Sequence, residues 1–151
     1  MSLQENIDQD IKSAMLSKDS ARLRGLRAIK AALLVAKTEK DAAETITEET
    51  EVRVLQKLVK QRKESADIYQ AQQRDDLYQI EQEEMQVIEA YLPKQMNRDE
   101  ITAHVKDAIQ RSGAGSIKEM GKVMGLVNKE LAGKADGKTI SEVVKELLVG
   151  L

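Results

Sequence analysis

The stretch AGKADGKT at residues 132–139 has the spacing of a nucleotide-binding loop, with alanine in place of the first glycine. A loop of the form G-x-x-x-x-G-K-[ST] follows a buried β-strand, so that backbone amides at the next helix start converge on phosphates. Here the preceding residues, VMGLVNKEL, carry a helical pattern. We therefore interpret the stretch as a helix end at Gly133, a turn, and a new helix capped by Thr139 with Glu142. This interpretation predicts no bound nucleotide.

The single histidine, His104, is the first residue to consider for catalysis or metal binding. It lies in ITAHVKDAI beside the apolar positions Ile101, Val105 and Ala108. The chain has no cysteine and no second histidine to share a metal ion, and the serines occur mostly at helix starts rather than in a nucleophile elbow. We expect His104 to be a partly buried structural residue. The sequence predicts no catalytic residue, no metal and no cofactor.

Two carboxylates and one arginine fall on apolar helical faces. At 100° per residue, Glu81 and Glu84 lie within the apolar stripe of one helix, and Arg62 lies within the stripe of the preceding helix. Two buried carboxylates could act in acid–base catalysis. The alternative is pairing with the arginine, because a lone buried charge is costly. A hairpin centred near Gln73 would place Arg62 and Glu84 at equal distances from the turn, so we predict a structural ion pair of Arg62 with Glu81, Glu84 or both.

Lysines cluster in the C-terminal third of the sequence, around two glycine breaks and two predicted helix starts. Such places offer backbone amides and positive charge to phosphates. No aromatic residue lies nearby to stack on bases, so RNA would be held through its backbone. The alternative is a solvated lysine face balanced by Glu119, Glu130, Asp136 and Glu142. The candidate tRNA-binding residues are Lys118, Lys122, Lys129, Lys134 and Lys138.

Helices must position these residues. The 151-residue chain has no Trp or Phe, three Tyr and one Pro, and is rich in good helix formers, which favours an all-α fold. A capping box at Ser2–Glu5 begins the first helix, and a second capping box is predicted at Ser116–Glu119. Further helices are predicted at about 20–40, 76–91 and 98–111. Another helix should begin at Thr47, the helix that starts at Ser116 should run to Leu131, and the last helix should cover the stripe from Ile140 to Leu148. DAAETITEE, at residues 41–49, is predicted to be a loop running into a helix start.

Pro93, the only proline, should end a helix and redirect the chain. We therefore predict an N-terminal antiparallel helical subdomain over residues 1–93 and a small C-terminal subdomain of three to four helices over 94–151. The first carries 14 Lys or Arg against 18 Asp or Glu, and the second carries 10 against 8. Any contact with nucleic acid should therefore be local and lie in the C-terminal subdomain.

The cysteine content and the beginning of the chain both bear on the location of the protein. The absence of cysteine favours a reducing compartment. Met1 leads into a polar, capped stretch rather than an apolar signal core, and no run of about 18 apolar residues could span a bilayer. We therefore expect a cytoplasmic protein that does not enter membranes.

Three blocks, LVKQRKESADIY, RDDLYQIEQEEMQVIEAYLPKQM and MGKVMGLVNKELAGKADGKTISEVVKELL, resemble the YqeY-like family over essentially the whole chain. In the GatB subunit of glutamyl/aspartyl-tRNA amidotransferase the homologous region forms the C-terminal tail. The resemblance implies an all-helical protein with a larger N-terminal and a smaller C-terminal subdomain. It also implies a tail that engages tRNA away from the active site, with Gly121–Met124 and Gly133–Asp136 matching that tail. Gly137 departs from the proline of the GatB version.

Two functions follow from the residues and the resemblance together. The first is a non-catalytic tRNA-binding or tRNA-associated module. The alternative is a helical protein–protein adaptor. The family association also carries the label of a carbon–nitrogen ligase with glutamine as amido-N-donor, although the sequence offers no catalytic group for that reaction.

Overall fold

The computed structural model describes residues 2–39 and 46–151, and over these ranges the chain is helical without a β-strand. The predicted all-α class is confirmed. The described helices are α1 Leu3–Leu16, α2 Ser20–Glu39, α3 Glu48–Ala71, α4 Asp75–Glu89, α5 Arg98–Ser112, α6 Met120–Glu130 and α7 Gly137–Val149, with a short 3-10 turn at Ile117–Glu119 before α6. Most of the loop predicted at 41–49 lies outside the described residues, which resume at Ile46.

Side-chain caps explain where several helices begin. The Ser2 hydroxyl accepts a hydrogen bond from the backbone N–H of Glu5 at 3.2 Å, and Thr47 caps α3 in the same way. The full reciprocal capping box occurs at Asn97 and Glu100, at the start of α5. These caps satisfy amide groups that have no acceptor within the helix.

The capping box predicted at Ser116 is wrong. Ser116 makes no side-chain cap hydrogen bond, and the chain enters α6 through the 3-10 turn instead. The Glu119 carboxylate accepts a hydrogen bond from the backbone N–H of Gly115 at 2.7 Å. The acidic residue therefore caps an amide outside the motif, because the 3-10 turn delays the α-helix to Met120.

The first compact unit contains α1 to α4 and ends at Leu92. Helix α1 packs on α2, and α2 packs on both α3 and α4. The core includes the fully buried residues Ile7, Leu26, Ile29, Leu55 and Ile88. α3 and α4 form a hairpin whose turn residue Gln73 has φ +59°, so the predicted hairpin centre is confirmed.

Gly25 of α2 faces Val87 of α4. A Cβ atom placed there would be 2.7 Å from both Cβ and Cγ1 of Val87. Such a separation is far below van der Waals contact. The residue with no side chain therefore permits this helix pair to pack closely.

The second compact unit comprises Pro93–Leu151. Helices α5, α6 and α7 each pack against the other two. The core that they share includes the fully buried valines Val105, Val123, Val127 and Val144. On each helix the buried residues recur at helical spacing, as Ile101, Val105 and Ala108 do on α5, so each helix turns one apolar stripe inward.

Candidate nucleic-acid interface

All five candidate lysines are exposed in the second unit. Lys122 and Lys129 lie on α6, and their separation of seven residues places them on one face of that helix, about 10 Å apart along its axis. Lys118 belongs to the 3-10 turn before α6. Lys134 lies in the connection between α6 and α7, and Lys138 lies in the first turn of α7. The lysines thus follow α6 and continue beyond its C-terminal end.

The two arginines of this unit are occupied by carboxylates. Arg98 donates to Glu142 at 3.3 Å and to Glu146 at 2.8 Å, and these hydrogen bonds raise the pKa of Arg98. These pairs join the start of α5 to α7.

Arg111 joins α5 to α6 in the same manner. It donates to Glu130 at 2.8 and 2.9 Å and to Asp107 at 2.7 Å. The hydrogen bonds from Arg111, with a smaller contribution from His104, lower the pKa of Glu130. Arginine therefore pairs with four of the eight carboxylates of the unit, which are those of Asp107, Glu130, Glu142 and Glu146.

The lysines, in contrast, have no such pairs. In the second unit, all of which the structure describes, no carboxylate oxygen lies within 4.0 Å of a lysine ammonium group. Lys122 Nζ donates to the backbone oxygen of Ser112 at 2.9 Å, near the end of α5. The lysine charge of this surface therefore faces solvent without a direct counter-charge.

The acidic residues proposed to balance the lysines have other partners. Glu130 and Glu142 pair with arginines, and Glu119 accepts from a backbone amide. Asp136 accepts a hydrogen bond from Thr139 Oγ1 at 3.2 Å. The structure therefore does not match the alternative in which these four acidic residues pair with the lysines.

The nucleotide-loop-like stretch joins two helices. α6 ends at Glu130, Gly133 has φ +78° in the left-handed region that favours glycine, and α7 begins at Gly137. The interpretation as a helix end followed by a helix start is confirmed. The predicted cap is wrong, because α7 starts two residues before Thr139 and has Asp136 at its N-cap position. No side chain caps the first amides of α7.

His104 is partly buried, as predicted, and links two helices. Its Nε2 atom lies 2.7 Å from Glu130 Oε2, and both side chains are 27% exposed. Glu130 is also the acceptor for Arg111. This geometry fits a structural histidine within an α5–α6 network.

The predicted ion pair of Arg62 with Glu81 or Glu84 needs correction. Arg62 Nη1 donates to the backbone oxygen of Leu58 at 3.2 Å, and no carboxylate of these two residues forms an ion pair with it among the described contacts. All three charged side chains are half-buried rather than buried. Burial and the neighbouring Glu84 raise the pKa of Glu81, while Arg62 lowers it. The guanidinium thus acts on Glu81 over a longer distance, because it folds back onto its own helix.

Sequence reasoning missed the polar role of Tyr91. Its hydroxyl donates to Asp10 Oδ2, and Asp10 also lies 3.7 Å from Arg22. Burial, followed by the hydrogen bond to Asp10, raises the pKa of Tyr91 to about 12. The helical pattern identified Tyr91 only as an apolar position. Its partner lies 81 residues away in the sequence, so no local signal could indicate it.

Two other kinds of feature, a metal-binding cluster and a membrane span, were considered for the described residues and neither is present. Over residues 2–39 and 46–151, no group of three acidic or histidine side chains is close enough to hold a metal ion. None of the helices in those ranges combines the length and the apolar character that a membrane span requires.

The described residues thus form two compact, all-helical units, with α5, α6 and α7 in the second. The chain belongs to the YqeY-like family, whose model, described as Yqey-like protein, matches residues 4–148. The resemblance seen in the sequence is confirmed.

Three fungal relatives illustrate the similarity, and each is named Altered inheritance of mitochondria protein 41, mitochondrial. The protein from Pyrenophora tritici-repentis is 30% identical over 94% of this chain and 78% of its own length. The protein from Meyerozyma guilliermondii is 32% identical over 96% of this chain and 75% of its own length. The protein from Clavispora lusitaniae is 31% identical over 86% of this chain and 76% of its own length.

These names contradict the predicted cytoplasmic location, because each relative is called a mitochondrial protein. The prediction was wrong for a physical reason. A lack of cysteine indicates a reducing environment, and a lack of an apolar signal core indicates that a chain is not secreted. Neither property distinguishes the cytoplasm from an organelle that imports proteins.

Proposed function

We propose that the second unit is a non-catalytic module that contacts tRNA through its lysines. The proposal is supported by the different partners of arginine and lysine side chains in that unit. Both arginines hold carboxylates, whereas the exposed lysines have no ion-pair partner. An ammonium group that faces solvent without a counter-charge can neutralise a phosphate and release its bound counterion.

The same surface supports contact with the RNA backbone rather than with bases. The three tyrosines of the chain are Tyr69, Tyr78 and Tyr91, all before the second unit. The unit therefore has no Phe, Tyr or Trp side chain on which a base could stack. Its arginine forks are occupied by carboxylates and would have to leave them to read base edges. Binding should be modest in affinity and largely indifferent to sequence.

Family membership supports the choice of tRNA among anionic partners. The second unit resembles the tail region of GatB, a subunit of an enzyme that acts on aminoacylated tRNA. In this proposal the chain contributes contact and positioning, and the carbon–nitrogen ligase chemistry associated with the family belongs to other polypeptides. The uncapped start of α7 adds backbone amides beside Lys138, which suits a phosphate further.

The proposal predicts a salt-dependent interaction that specific lysines support. Binding of a tRNA transcript should be measured across a salt series for the wild type and for a Lys122→Ala, Lys134→Ala, Lys138→Ala triple variant. Loss of three phosphate contacts should flatten the slope of log affinity against log salt by about two units, taking the single-strand coefficient. The helical circular dichroism signal should be unchanged, because these side chains are exposed.

A matched control removes the same charge from the first unit. Lys12, Lys57 and Lys60 are also exposed, and their triple alanine variant should keep the wild-type slope. If both triple variants keep the wild-type slope, the contact is not made by these lysines of the second unit. No binding of tRNA by the wild type even at low salt would contradict the proposal and favour the protein–protein adaptor.

A further inference from the structure

Two non-helical segments of the second unit are held side by side. Residues 93–97 precede α5, and residues 131–136 connect α6 to α7. The backbone N–H of Met96 donates to the backbone oxygen of Lys134 at 2.7 Å. The segment that enters the unit is thereby fixed to the connection that carries one of the candidate lysines.

The side chain of Gln95 strengthens this junction. Its Nε2 atom donates to the backbone oxygen of Gly133 at 2.8 Å and to that of Pro93 at 2.9 Å. One side-chain amide therefore bridges both segments. Gly133 has φ +78°, so its carbonyl does not follow a continuing helix and is available to accept this hydrogen bond.

The junction brings a further lysine to the candidate interface. Met96 packs against the core of the unit, and Ala135 is 7% exposed within that core. Lys94 and Lys134, which lie close to these anchored residues in the chain, are exposed. Because consecutive Cα atoms are 3.8 Å apart, the Cα of Lys94 is at most about 7.6 Å from that of Met96. Lys94 is therefore held near Lys134 although 40 residues separate them in the sequence.

We propose that Lys94 joins Lys134 and Lys138 in one phosphate-contact surface for RNA, and that Gln95 is the positioning residue that holds their segments together. This inference rests on the proposed function and adds a contact outside the five lysines singled out from the sequence. The three lysines come from three places in the fold: the entry segment, the α6–α7 connection and the first turn of α7.

The local charge balance supports such a surface. None of the three ammonium groups has a carboxylate within 4.0 Å in this unit. The acidic residue of the connection, Asp136, accepts a hydrogen bond from Thr139. Residues 93–97 and 131–139 thus carry three lysines against one acidic residue, and the hydrogen bonds of Gln95 restrict how far these segments can separate.

The role of Lys94 is tested with Lys94→Ala in the full chain, using the same tRNA transcript and salt series. Loss of one phosphate contact should flatten the log–log slope by about 0.7. Lys106→Ala is the matched control, since Lys106 is an exposed lysine of the same unit on α5. It removes the same charge and should leave the slope unchanged.

The role of Gln95 is tested with Gln95→Met, which keeps the length of the side chain but removes its donor. Amide hydrogen exchange at Met96 should become faster, because the junction loses the hydrogen bond from Gln95 Nε2 to the backbone oxygen of Gly133. Gln110→Met, at an exposed glutamine of α5, should leave that exchange unchanged. In the Gln95→Met background, Lys94→Ala should reduce tRNA affinity by a smaller factor than in the wild type.

The outcomes separate this inference from the proposed function. If the Lys122, Lys134, Lys138 triple variant loses slope but Lys94→Ala behaves as Lys106→Ala does, the role of Lys94 is overturned and the proposed function stands. If the wild type does not bind tRNA, the proposed function and the role of Lys94 fall together. Unchanged exchange at Met96 in Gln95→Met overturns the positioning role, whatever the result with tRNA.

Discussion

At the residue scale, Tyr91 is the side chain through which alkaline pH should act most directly on the first unit. Its hydroxyl donates to Asp10, and the fold raises its pKa from 10.0 to about 12. The fold therefore favours the neutral phenol. Its stabilising contribution is complete below about pH 10 and is lost as the pH rises through about 12.

Replacing Tyr91 with Phe should remove this contribution. We expect the free energy of unfolding near neutral pH to fall by about 1 kcal/mol, a typical value for a hydrogen bond in a site that water partly screens. Between about pH 10 and 12 the difference from the wild type should vanish. Urea denaturation at several pH values measures this. Tyr78→Phe is the control, because Tyr78 accepts a hydrogen bond from Gln82 on its own helix; the same alkaline convergence in that variant would contradict the assignment.

Arg62 should contribute less to the free energy of unfolding than a member of a buried ion pair would. Because its guanidinium is half-buried and forms no direct pair with Glu81, Arg62→Ala should lower the free energy of unfolding by about 1 kcal/mol or less. A fully buried pair would lose about 3–5 kcal/mol. Chemical denaturation decides between these values, and a double-mutant cycle with Glu81→Gln measures the coupling. A coupling of several kcal/mol would show that the two groups meet directly.

Glu81 gives the same site a defined pH dependence. Since burial and Glu84 raise its pKa above 4.5, its contribution to stability is greatest at acid pH and is lost as the pH rises through the raised value. Glu81→Gln should therefore flatten the dependence of stability on pH in the weakly acidic range without lowering stability at neutral pH.

At the scale of elements, the α2–α4 packing depends on one missing side chain. Gly25→Ala would place its Cβ 2.7 Å from Val87, so the helices would have to move apart. We expect a loss of about 1–3 kcal/mol in the free energy of unfolding, measured by denaturation. Val87→Ala in the same chain should recover part of that loss, because it removes the atoms that would clash.

Gly125→Ala is the matched comparison for this prediction. Gly125 lies inside α6, and a Cβ there would meet nothing within 4 Å. Alanine is favoured over glycine in a helix interior, so this change should raise the free energy of unfolding by about 0.5–1 kcal/mol. Equal effects of the two substitutions would show that helix propensity, rather than packing, governs Gly25.

At the scale of the whole molecule, charge is unevenly divided. Residues 1–93 carry an excess of four acidic side chains, and residues 94–151 carry an excess of two basic ones. A net charge of −2 therefore hides a local positive surface. Long-range attraction of RNA to the entire chain should be weak, and binding should depend on short-range contacts that salt suppresses.

The sequence by itself determined the features that depend on neighbours along the chain. Helical periodicity identified the apolar stripes, and the hairpin turn predicted near Gln73 is the α3–α4 turn of the structure. Such features depend on backbone preferences and on contacts within a few residues, so local sequence patterns predict them.

Only the tertiary structure decided which polar side chains meet. Arg62 donates a hydrogen bond to its own helix instead of pairing with Glu84. The Tyr91 hydroxyl donates to Asp10, and the Gln95 side chain donates to the backbone oxygen of Gly133. Each result depends on how helices rotate and cross, and a rotation of a few tens of degrees moves a side-chain tip by several ångströms. Residues distant in the sequence are brought together by that geometry, which no local pattern records.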